Sequence, residues 1–418
     1  MKFEPEDRKR IFKALCLYHY MNDSIAFLVP TLLATFYTLF GLSWEQVLLI
    51  LAYNALLTVI FQIINGFAAD KGFAKALYII GFSLVVLSTF LILFSIDYIT
   101  LFVYLLLSGI ALGFQHTLGY NITAKLFIEP KIRSERLAIQ GSWGDTGKMS
   151  AVFFSAFMFL LFPNKWEYII SIWVVYLFSG FLYALYLIKP YKFEKIVEDN
   201  IRYSKKHLNG ILKVENDNGK ERLVGSIVQG DTAKIRIILL FIINILNGGI
   251  FDLTAKVMPM YLKNLSIGII AQFPEFWFGL FMIFSIFGAR SSGKGVNKFG
   301  FPKYLQIILT ALAINSTIFL IFIGKSQIIT IIMLILYPLS IFPLYTMILG
   351  EFSKVVPPER IGKAYGIFLG IGWSGGFICT RIAAQFVTQM GPIINFIILY
   401  VLIALISIIN LLCHKKFK

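Results

Sequence analysis

Twelve apolar stretches, each long enough to cross a bilayer as a helix, constrain this chain more than any other feature. About 20 apolar residues span the hydrocarbon core of a membrane, and irregular backbone is excluded from contact with lipid. The stretches cover approximately residues 11–40, 46–69, 74–96, 98–127, 135–162, 167–189, 235–263, 270–293, 302–324, 327–353, 360–388 and 392–414. The sequence therefore predicts an all-α polytopic membrane protein with twelve transmembrane helices.

The distribution of basic residues predicts the orientation of these helices. Only 14% of the residues are charged, yet the net charge is +16, and 32 of the 38 Lys and Arg lie in the termini and in every second loop. The opposite loops hold Lys165, Lys263 and Lys325. By the positive-inside rule, both termini are cytoplasmic and the protein lies in the plasma (inner) membrane. A nucleic-acid partner is not expected, because it requires a basic face rather than basic loops.

One long polar connection divides the chain. It predicts an N-terminal six-helix bundle at residues 1–189, a cytoplasmic linker at 190–234 and a C-terminal six-helix bundle at 235–418. The two halves repeat several features at corresponding places, namely Asp23 and Pro30 with Asp252 and Pro259, Glu135-Arg136 with Glu359-Arg360, and Gly144 and Gly147 with Gly372 and Gly375. Parallel repeats of this kind place a substrate site near the membrane midplane, between the halves.

Polar residues in the first apolar stretch indicate a functional site. His19, Asn22 and Asp23 share one helix face, because they are spaced by three and four residues. An ionised Asp is costly inside a bilayer, so it should be neutral, paired or in a wet cavity. We interpret Asp23 as a proton carrier assisted by His19, with Asp252 as second choice. The alternative is a hydrogen-bonded cluster that joins the first helix to a neighbour.

Other intramembrane residues are candidates for substrate binding. Asp145 and Lys148 are spaced to pair along one helix, as are Asp252 and Lys256, so each pair either neutralises itself or lines the cavity. Arg381 either snorkels to the membrane surface or holds an anion. The complete predicted substrate-binding set is Asn22, His116, Tyr120, Trp143, Asp145, Lys148, Lys256, Trp373 and Arg381.

Several motifs resemble the major facilitator superfamily. Gly66-Phe67-Ala68-Ala69-Asp70-Lys71-Gly72 resembles its signature between the second and third helices, and Pro358 to Gly366 resembles its start of the eleventh helix. Within the superfamily, His19 to Asp23 followed by Pro30 is similar to fosmidomycin-resistance-type transporters, as is Gly113-Phe114-Gln115-His116. The resemblance implies the major facilitator fold, with two six-helix bundles. It also implies a gating role for Gly66, Asp70, Lys71, Glu359 and Arg360, with Asp70 near the start of the eleventh helix.

These features predict a proton-coupled secondary transporter that works by alternating access. The resemblance of the first helix favours efflux of a small organic solute, whereas Lys148, Lys256 and Arg381 allow uptake or facilitated passage of a small organic anion. A membrane-embedded enzyme and a non-transporting sensor are the rivals from other classes. The expected partners are a small-molecule substrate, protons and the lipid bilayer, and we expect a monomer. No cofactor or metal is expected, since the chain has no Walker-type loop and Cys16, Cys379 and Cys413 have no metal-like spacing.

Overall fold

The chain folds into long helices joined by short turns. The computed structural model describes residues 5–127, 130–162, 165–189, 231–264, 270, 272–356 and 361–413, and these ranges contain no β-strand. The first six helices are α1 Pro5–Leu39, α2 Trp44–Ala68, α3 Ala74–Ile92, α4 Tyr98–Leu126, α5 Pro130–Leu161 and α6 Trp166–Ile188. The others are α7 Asp231–Phe251, α8 Met258–Lys263, α9 Pro274–Phe299, α10 Phe301–Phe322, α11 Gln327–Val355, α12 Ile361–Met390 and α13 Ile393–Leu412. Within these ranges, the predicted all-α class is confirmed.

Many of these helices can span a membrane. By length and composition, eight stretches of the described chain qualify: Trp44–Ile92, Tyr98–Leu126, Trp166–Ile188, Lys234–Lys263, Phe301–Phe322, Gln327–Phe352, Lys363–Met390 and Ile393–Leu412. The first stretch contains both α2 and α3. This confirms a multi-pass membrane protein. The count of twelve spans stays a prediction, because α1, α5 and α9 are not among the eight.

The seventh predicted span is not one continuous α-helix. A π-helical segment, Asp252–Lys256, separates α7 from α8, and Pro259 lies in the first turn of α8. Proline lacks the N–H that would bond to the carbonyl four residues earlier, so the regular helical hydrogen bonding is lost at Ala255. Single π-helical turns often occur at functional sites. The segment begins and ends with the two ionisable residues identified in the sequence, Asp252 and Lys256.

The turn between α2 and α3 lies at one end of the bundle. It spans Ala69–Phe73, and Gly72 adopts a φ of +93°, which glycine tolerates and other residues rarely adopt. Lys125 at the end of α4 contacts Asp70 in this turn. We call this side of the molecule the Asp70 end. The predicted linker falls almost entirely outside the described residues.

Contacts between helices show two groups and the surfaces that join them. In the first group, α1 packs on α5 and α6, and α4 packs on α2 and α3. In the second group, α11 packs on α9 and α10, and α7 packs on α12 and α13. Helix α2 packs against α12, and α5 packs against α9, across the two groups. A Cβ at Gly366 would lie 2.9 Å from the Cα of Gly66, so α2 and α12 approach backbone to backbone.

Candidate functional site

A cavity of about 390 Å³ lies between the two groups of helices. Helices from both groups line it, together with the π-helical segment, and its wall mixes apolar side chains with ionisable ones. The charged and imidazole side chains that line it are His19, Asp23, His116, Asp145, Lys148, Lys256 and Arg290. A concave, mostly apolar site with a few convergent polar groups is typical of small-molecule binding.

Asp23 is the centre of a buried ionisable cluster. Its side chain is 2% exposed, and its carboxylate lies 3.4 Å from His19 Nε2, 3.4 Å from His116 Nε2 and 3.2 Å from Lys148 Nζ. Asn22 donates to the same carboxylate at 3.3 Å. Three helices, α1, α4 and α5, therefore bring their polar residues to one carboxyl group.

Lys148 is shared between two carboxylates. Its Nζ lies 2.9 Å from Asp145 Oδ1 as well as 3.2 Å from Asp23 Oδ2. The spacing within α5 predicted only the pair with Asp145, which would have left Asp23 without a lysine partner. The second contact arises because Gly144 has no side chain: a Cβ there would lie 2.6 Å from both Asp23 Oδ2 and His19 Nε2. Close packing of α5 on α1 thus joins the two acids through one ammonium group.

The second group of helices supplies a similar pair. Asp252 Oδ1 lies 2.8 Å from Lys256 Nζ, and the side chain of Asp252 is fully buried. Lys256 also stands over the ring of Trp373, at 4.5 Å from its centroid. Trp373 in turn lies nearly parallel to His116, with ring centroids 6.5 Å apart and an interplanar angle of 12°. This contact connects the ionisable clusters of the two groups, and Tyr120 stacks nearly parallel to His116.

Most of the predicted substrate-binding residues line the cavity. His116, Tyr120, Asp145, Lys148, Lys256 and Trp373 do so. Asn22 is buried against Asp23 instead.

Two predicted residues lie elsewhere. Trp143 is 47% exposed and packs edge-on against Tyr20, while the side chain of Arg381 is exposed. Neither lines the cavity. The reason is helix rotation: each residue lies on a face of its helix that is turned away from the cavity, which spacing alone does not reveal. These placements do not support a substrate-binding role for Trp143 or Arg381.

Several cavity residues were missed by sequence reasoning. Asn244 and Asn247 on α7 line the cavity, as do Asn54 on α2 and Arg290 on α9. Polar residues spaced by three within an apolar run, as in Ile-Asn244-Ile-Leu-Asn247, are a signal that could have identified the first two. Tyr345 and Tyr365 carry no such signal, because aromatic residues are common throughout the chain.

The cluster at Asp23 includes three groups that metal ions can use. The ligand atoms of His19, Asp23 and His116 lie within 4.8 Å of one another. The ammonium of Lys148, 3.2 Å from the carboxylate, opposes a second cation there. In addition, the Nδ1 atoms of both histidines have no hydrogen-bond partner among the described residues, whereas metal-bound imidazoles usually donate from that nitrogen. The geometry fits proton binding better than metal binding.

Comparison with known proteins identifies the family. The family model of the Major Facilitator Superfamily matches residues 14–380. The chain belongs to the major facilitator superfamily. The crystal structure of the human organic anion transporter MFSD10 (TETRAN) has a similar fold, with a TM-score of 0.69 and 15% sequence identity over 98% of this chain and 100% of that chain. No curated protein sequence matches the chain.

The superfamily signature lies at a contact between the two groups of helices. Asp70 Oδ2 accepts a hydrogen bond of 2.8 Å from the backbone N–H of Lys363, in the first turn of α12. Its other oxygen lies 2.8 Å from Lys125 Nζ. A helix N-terminus attracts an anion, because its first N–H groups lack partners within the helix. Lys71 is exposed, and Glu359 and Arg360 lie outside the described residues. Asp70 therefore connects the turn after α2 to the start of α12, at the Asp70 end of the molecule.

We expect Asp70→Ala to increase the fraction of molecules in which the Asp70 end is open. Hydrogen bonds to a charged group contribute about 1.5–3 kcal/mol, so the open population should rise about tenfold or more. The measurement is the rate of maleimide labelling of a single cysteine at Ser292, a cavity residue, in a background without the three native cysteines. Lys325→Ala, which removes an exposed charge outside this contact, is the control. Equal labelling rates in wild type and Asp70→Ala would show that Asp70 does not hold this end closed.

Proposed function

We propose that this protein is a proton-coupled secondary transporter that moves a small organic solute across the membrane by alternating access. The observation that carries the proposal is the central cavity, where ionisable groups from both groups of helices converge. Alternating access requires two groups of helices that meet at one central site, whereas an enzyme or a sensor does not require this arrangement. In a transporter, the same groups can bind solute and proton while access alternates between the two sides.

The finer topology is part of the proposal. We propose twelve spans in two six-helix bundles, residues 1–189 and 235–418, joined by a cytoplasmic linker at 190–234. The concentration of Lys and Arg in one set of loops supports cytoplasmic termini and a plasma (inner) membrane location. We also propose that the transporter acts as a monomer, with the solute, protons and the bilayer as its partners.

Asp23 is the proposed proton carrier. It is almost fully buried, and it lies within reach of two imidazoles and one ammonium group. His19 and His116 provide a route by which a proton can reach the carboxylate, since an imidazole can accept a proton on one ring nitrogen and release one from the other. Asp252 is the second candidate, because it forms the corresponding pair with Lys256.

Gating is proposed for the contacts at the two ends of the cavity. At the Asp70 end, the bond from Lys363 to Asp70 holds α2 against α12, and we propose that Gly66, Lys71, Glu359 and Arg360 act with it. Toward the opposite end, Trp44 and Tyr261 contact each other across the two groups, with ring centroids 5.8 Å apart. Rocking of one group against the other would break one set of contacts while the other forms.

Two kinds of solute compete. The similarity to fosmidomycin-resistance-type transporters favours efflux of an antibiotic or metabolite by proton antiport. The cavity cations Lys148, Lys256 and Arg290 favour uptake of a small organic anion, and the organic anion transporter of similar fold agrees with that choice. We propose the organic anion as the solute, because the cations that line the cavity are an observation on this chain, whereas efflux rests on a resemblance to other transporters.

Blocking the cavity tests the proposed function. In liposomes containing an internal pH dye and the full chain, a panel of organic acids, phosphonates, sugars and drugs is added outside. We expect at least one organic acid to drive proton movement, and Gly350→Trp to abolish it. A Cβ at Gly350 would meet no heavy atom within 4 Å, so the indole can enter the cavity without displacing the backbone. Phe287→Trp, at a side chain that is 56% exposed, is the matched control. Unchanged proton movement in Gly350→Trp would overturn transport through this cavity.

A further inference from the structure

Lys148 is the feature from which the nature of the solute can be inferred. Its ammonium contacts two carboxylates, Asp23 and Asp145, and lies 5.6 Å from the ring centroid of Phe27. In this arrangement, the ammonium group is paired with the two carboxylates, so its positive charge is not available to a solute. The same holds for Lys256, which is paired with Asp252 and stands over Trp373. An anionic solute that binds either lysine must therefore displace a carboxylate from it.

The enclosed charges at the cavity leave no cation in excess when Asp23 is ionised. Among the described residues, the enclosed charged groups of this cluster are three carboxylates (Asp23, Asp145 and Asp252) and two ammonium groups (Lys148 and Lys256), whereas the side chain of Arg290 is exposed. The titratable and charged groups that face Asp23 from the surrounding elements are His19 on α1, His116 and Tyr120 on α4, Asp145 and Lys148 on α5, Tyr345 on α11, Tyr365 on α12 and Lys256 in the π-helical segment. One proton on Asp23 adds one positive charge, which compensates the charge of one monoanion that binds with it.

Protonation of Asp23 also changes what Lys148 can bind. A neutral carboxyl group attracts an ammonium far less than a carboxylate does in a buried site. Lys148 then keeps Asp145 as its remaining carboxylate partner and has donors free for another acceptor. The proton and an anion would consequently bind together, each raising the affinity for the other, as linkage requires.

The wall of the cavity indicates the rest of the solute. Rings contribute much of its apolar surface, namely Phe27, His116, Tyr120, Phe251, Phe342, Tyr345, Tyr365 and Trp373. Rings of this kind pack against a planar ring in stacked and edge-to-face contacts. The indole N–H of Trp373 and the hydroxyl of Tyr345 have no hydrogen-bond partner among the described residues. These buried donors suit a ligand that carries acceptor oxygens, once the side chains turn toward it.

We propose that the solute is a small aromatic carboxylate, and that Lys148 passes from Asp23 to the carboxylate of the solute when Asp23 takes up a proton. The proton ends on the Asp23 carboxyl group, and no other bond is made or broken. Solute and proton then cross together, which makes the transporter a symporter. This inference rests on the proposed function for its transport step, but its binding step can be tested without transport.

A cationic solute predicts the opposite behaviour. An ammonium group would bind the carboxylates of Asp23 and Asp145 in place of Lys148, and a proton on Asp23 would weaken that binding. Proton and solute would then compete, as an antiporter requires. The pH dependence of binding therefore distinguishes the two solutes.

Calorimetry on the purified full chain in detergent tests the inference. Benzoate, cyclohexanecarboxylate and benzylamine are titrated between about pH 5 and pH 8, in buffers of different ionisation enthalpy. We expect benzoate to bind with uptake of about one proton per molecule, and its affinity to fall as pH rises, toward about tenfold per pH unit. Cyclohexanecarboxylate should bind at least several-fold more weakly, because it lacks a planar ring. Benzylamine should not bind.

Variants distinguish the roles of the two key residues. Asp23→Asn, which resembles the protonated acid, should bind benzoate with an affinity that no longer varies with pH and without proton uptake. Lys148→Gln should lose at least tenfold in affinity, Lys148→Arg should retain most of it, and the exposed Lys325→Gln should match wild type. Because Lys148→Gln can fail to fold, Asp23→Asn and Lys148→Arg are the variants that decide whether Lys148 binds the solute when Asp23 is protonated.

Three results would overturn the inference: preferred binding of benzylamine, loss of benzoate binding in Asp23→Asn, or benzoate binding without proton uptake. Failure of transport with these binding results intact would count against the proposed function only.

Discussion

Replacing Lys148 with glutamine is expected to destabilise the protein by about 3–5 kcal/mol, the range found when one partner of a buried ion pair is removed. The substitution leaves Asp23 and Asp145 without their shared cation, and the side chain of Asp23 is only 2% exposed. The imidazoles of His19 and His116 cannot replace it unless they become protonated. The measurement is thermal unfolding of the purified protein in detergent, with Lys325→Gln as the control.

A double substitution tests the cause of this effect. Asp23→Asn combined with Lys148→Gln removes one acid and the cation together, so the uncompensated charge at Asp23 disappears. We expect the double variant to be more stable than Lys148→Gln alone, with a coupling energy of about 0.5–3 kcal/mol, as in other double-mutant cycles between contacting residues. Strictly additive effects of the two substitutions would show that the contact at 3.2 Å does not stabilise the fold.

Asp23→Asn alone is expected to separate solute exchange from proton coupling. The amide is similar in size to the carboxyl group but does not take up a proton, so the carrier should cycle only with solute bound. We expect exchange of labelled for unlabelled solute across liposomes to continue within a few-fold of the wild-type rate. When a proton gradient is applied, Asp23→Asn should bring the solute only to equal concentrations on the two sides, whereas wild type should accumulate it against its gradient.

Asp97→Asn is the matched control for this loss of accumulation. Asp97 is exposed, outside the cavity, and caps α4 by accepting from the N–H of Thr100 at 2.8 Å. Asparagine caps helices about as well as aspartate, so this variant should behave as wild type. Accumulation that persists in Asp23→Asn would assign proton coupling to another group, with Asp252 the next candidate.

Part of the site followed from periodicity and chemistry alone. His19, Asn22 and Asp23 share a helix face, and a polar face on a spanning helix must contact protein or water, so a cluster was predictable there. The four-residue spacing of Asp252 and Lys256 likewise predicted the second ion pair. The resemblance to the superfamily placed Asp70 near the start of α12, where its bond to Lys363 is found.

Other features depend on tertiary packing and could not be predicted from the sequence. The pairing of Asp23 with Lys148 requires that α1 contact α5 closely at Gly144, and no local pattern specifies that partner. Trp143 and Arg381 fell on outward faces because the rotation of a helix in a bundle is decided by its neighbours. The π-helical turn at Asp252–Lys256 was missed because its cause, Pro259, is equally compatible with a simple kink.

The proposed mechanism requires that solute and proton share the cavity around Asp23. The most direct measurement records internal pH and solute uptake together in liposomes containing the wild-type protein, and repeats it with Asp23→Asn. We expect an aromatic carboxylate to enter with protons in wild type, and the variant to exchange the same solute without moving protons. Equal proton movement in wild type and Asp23→Asn would contradict it.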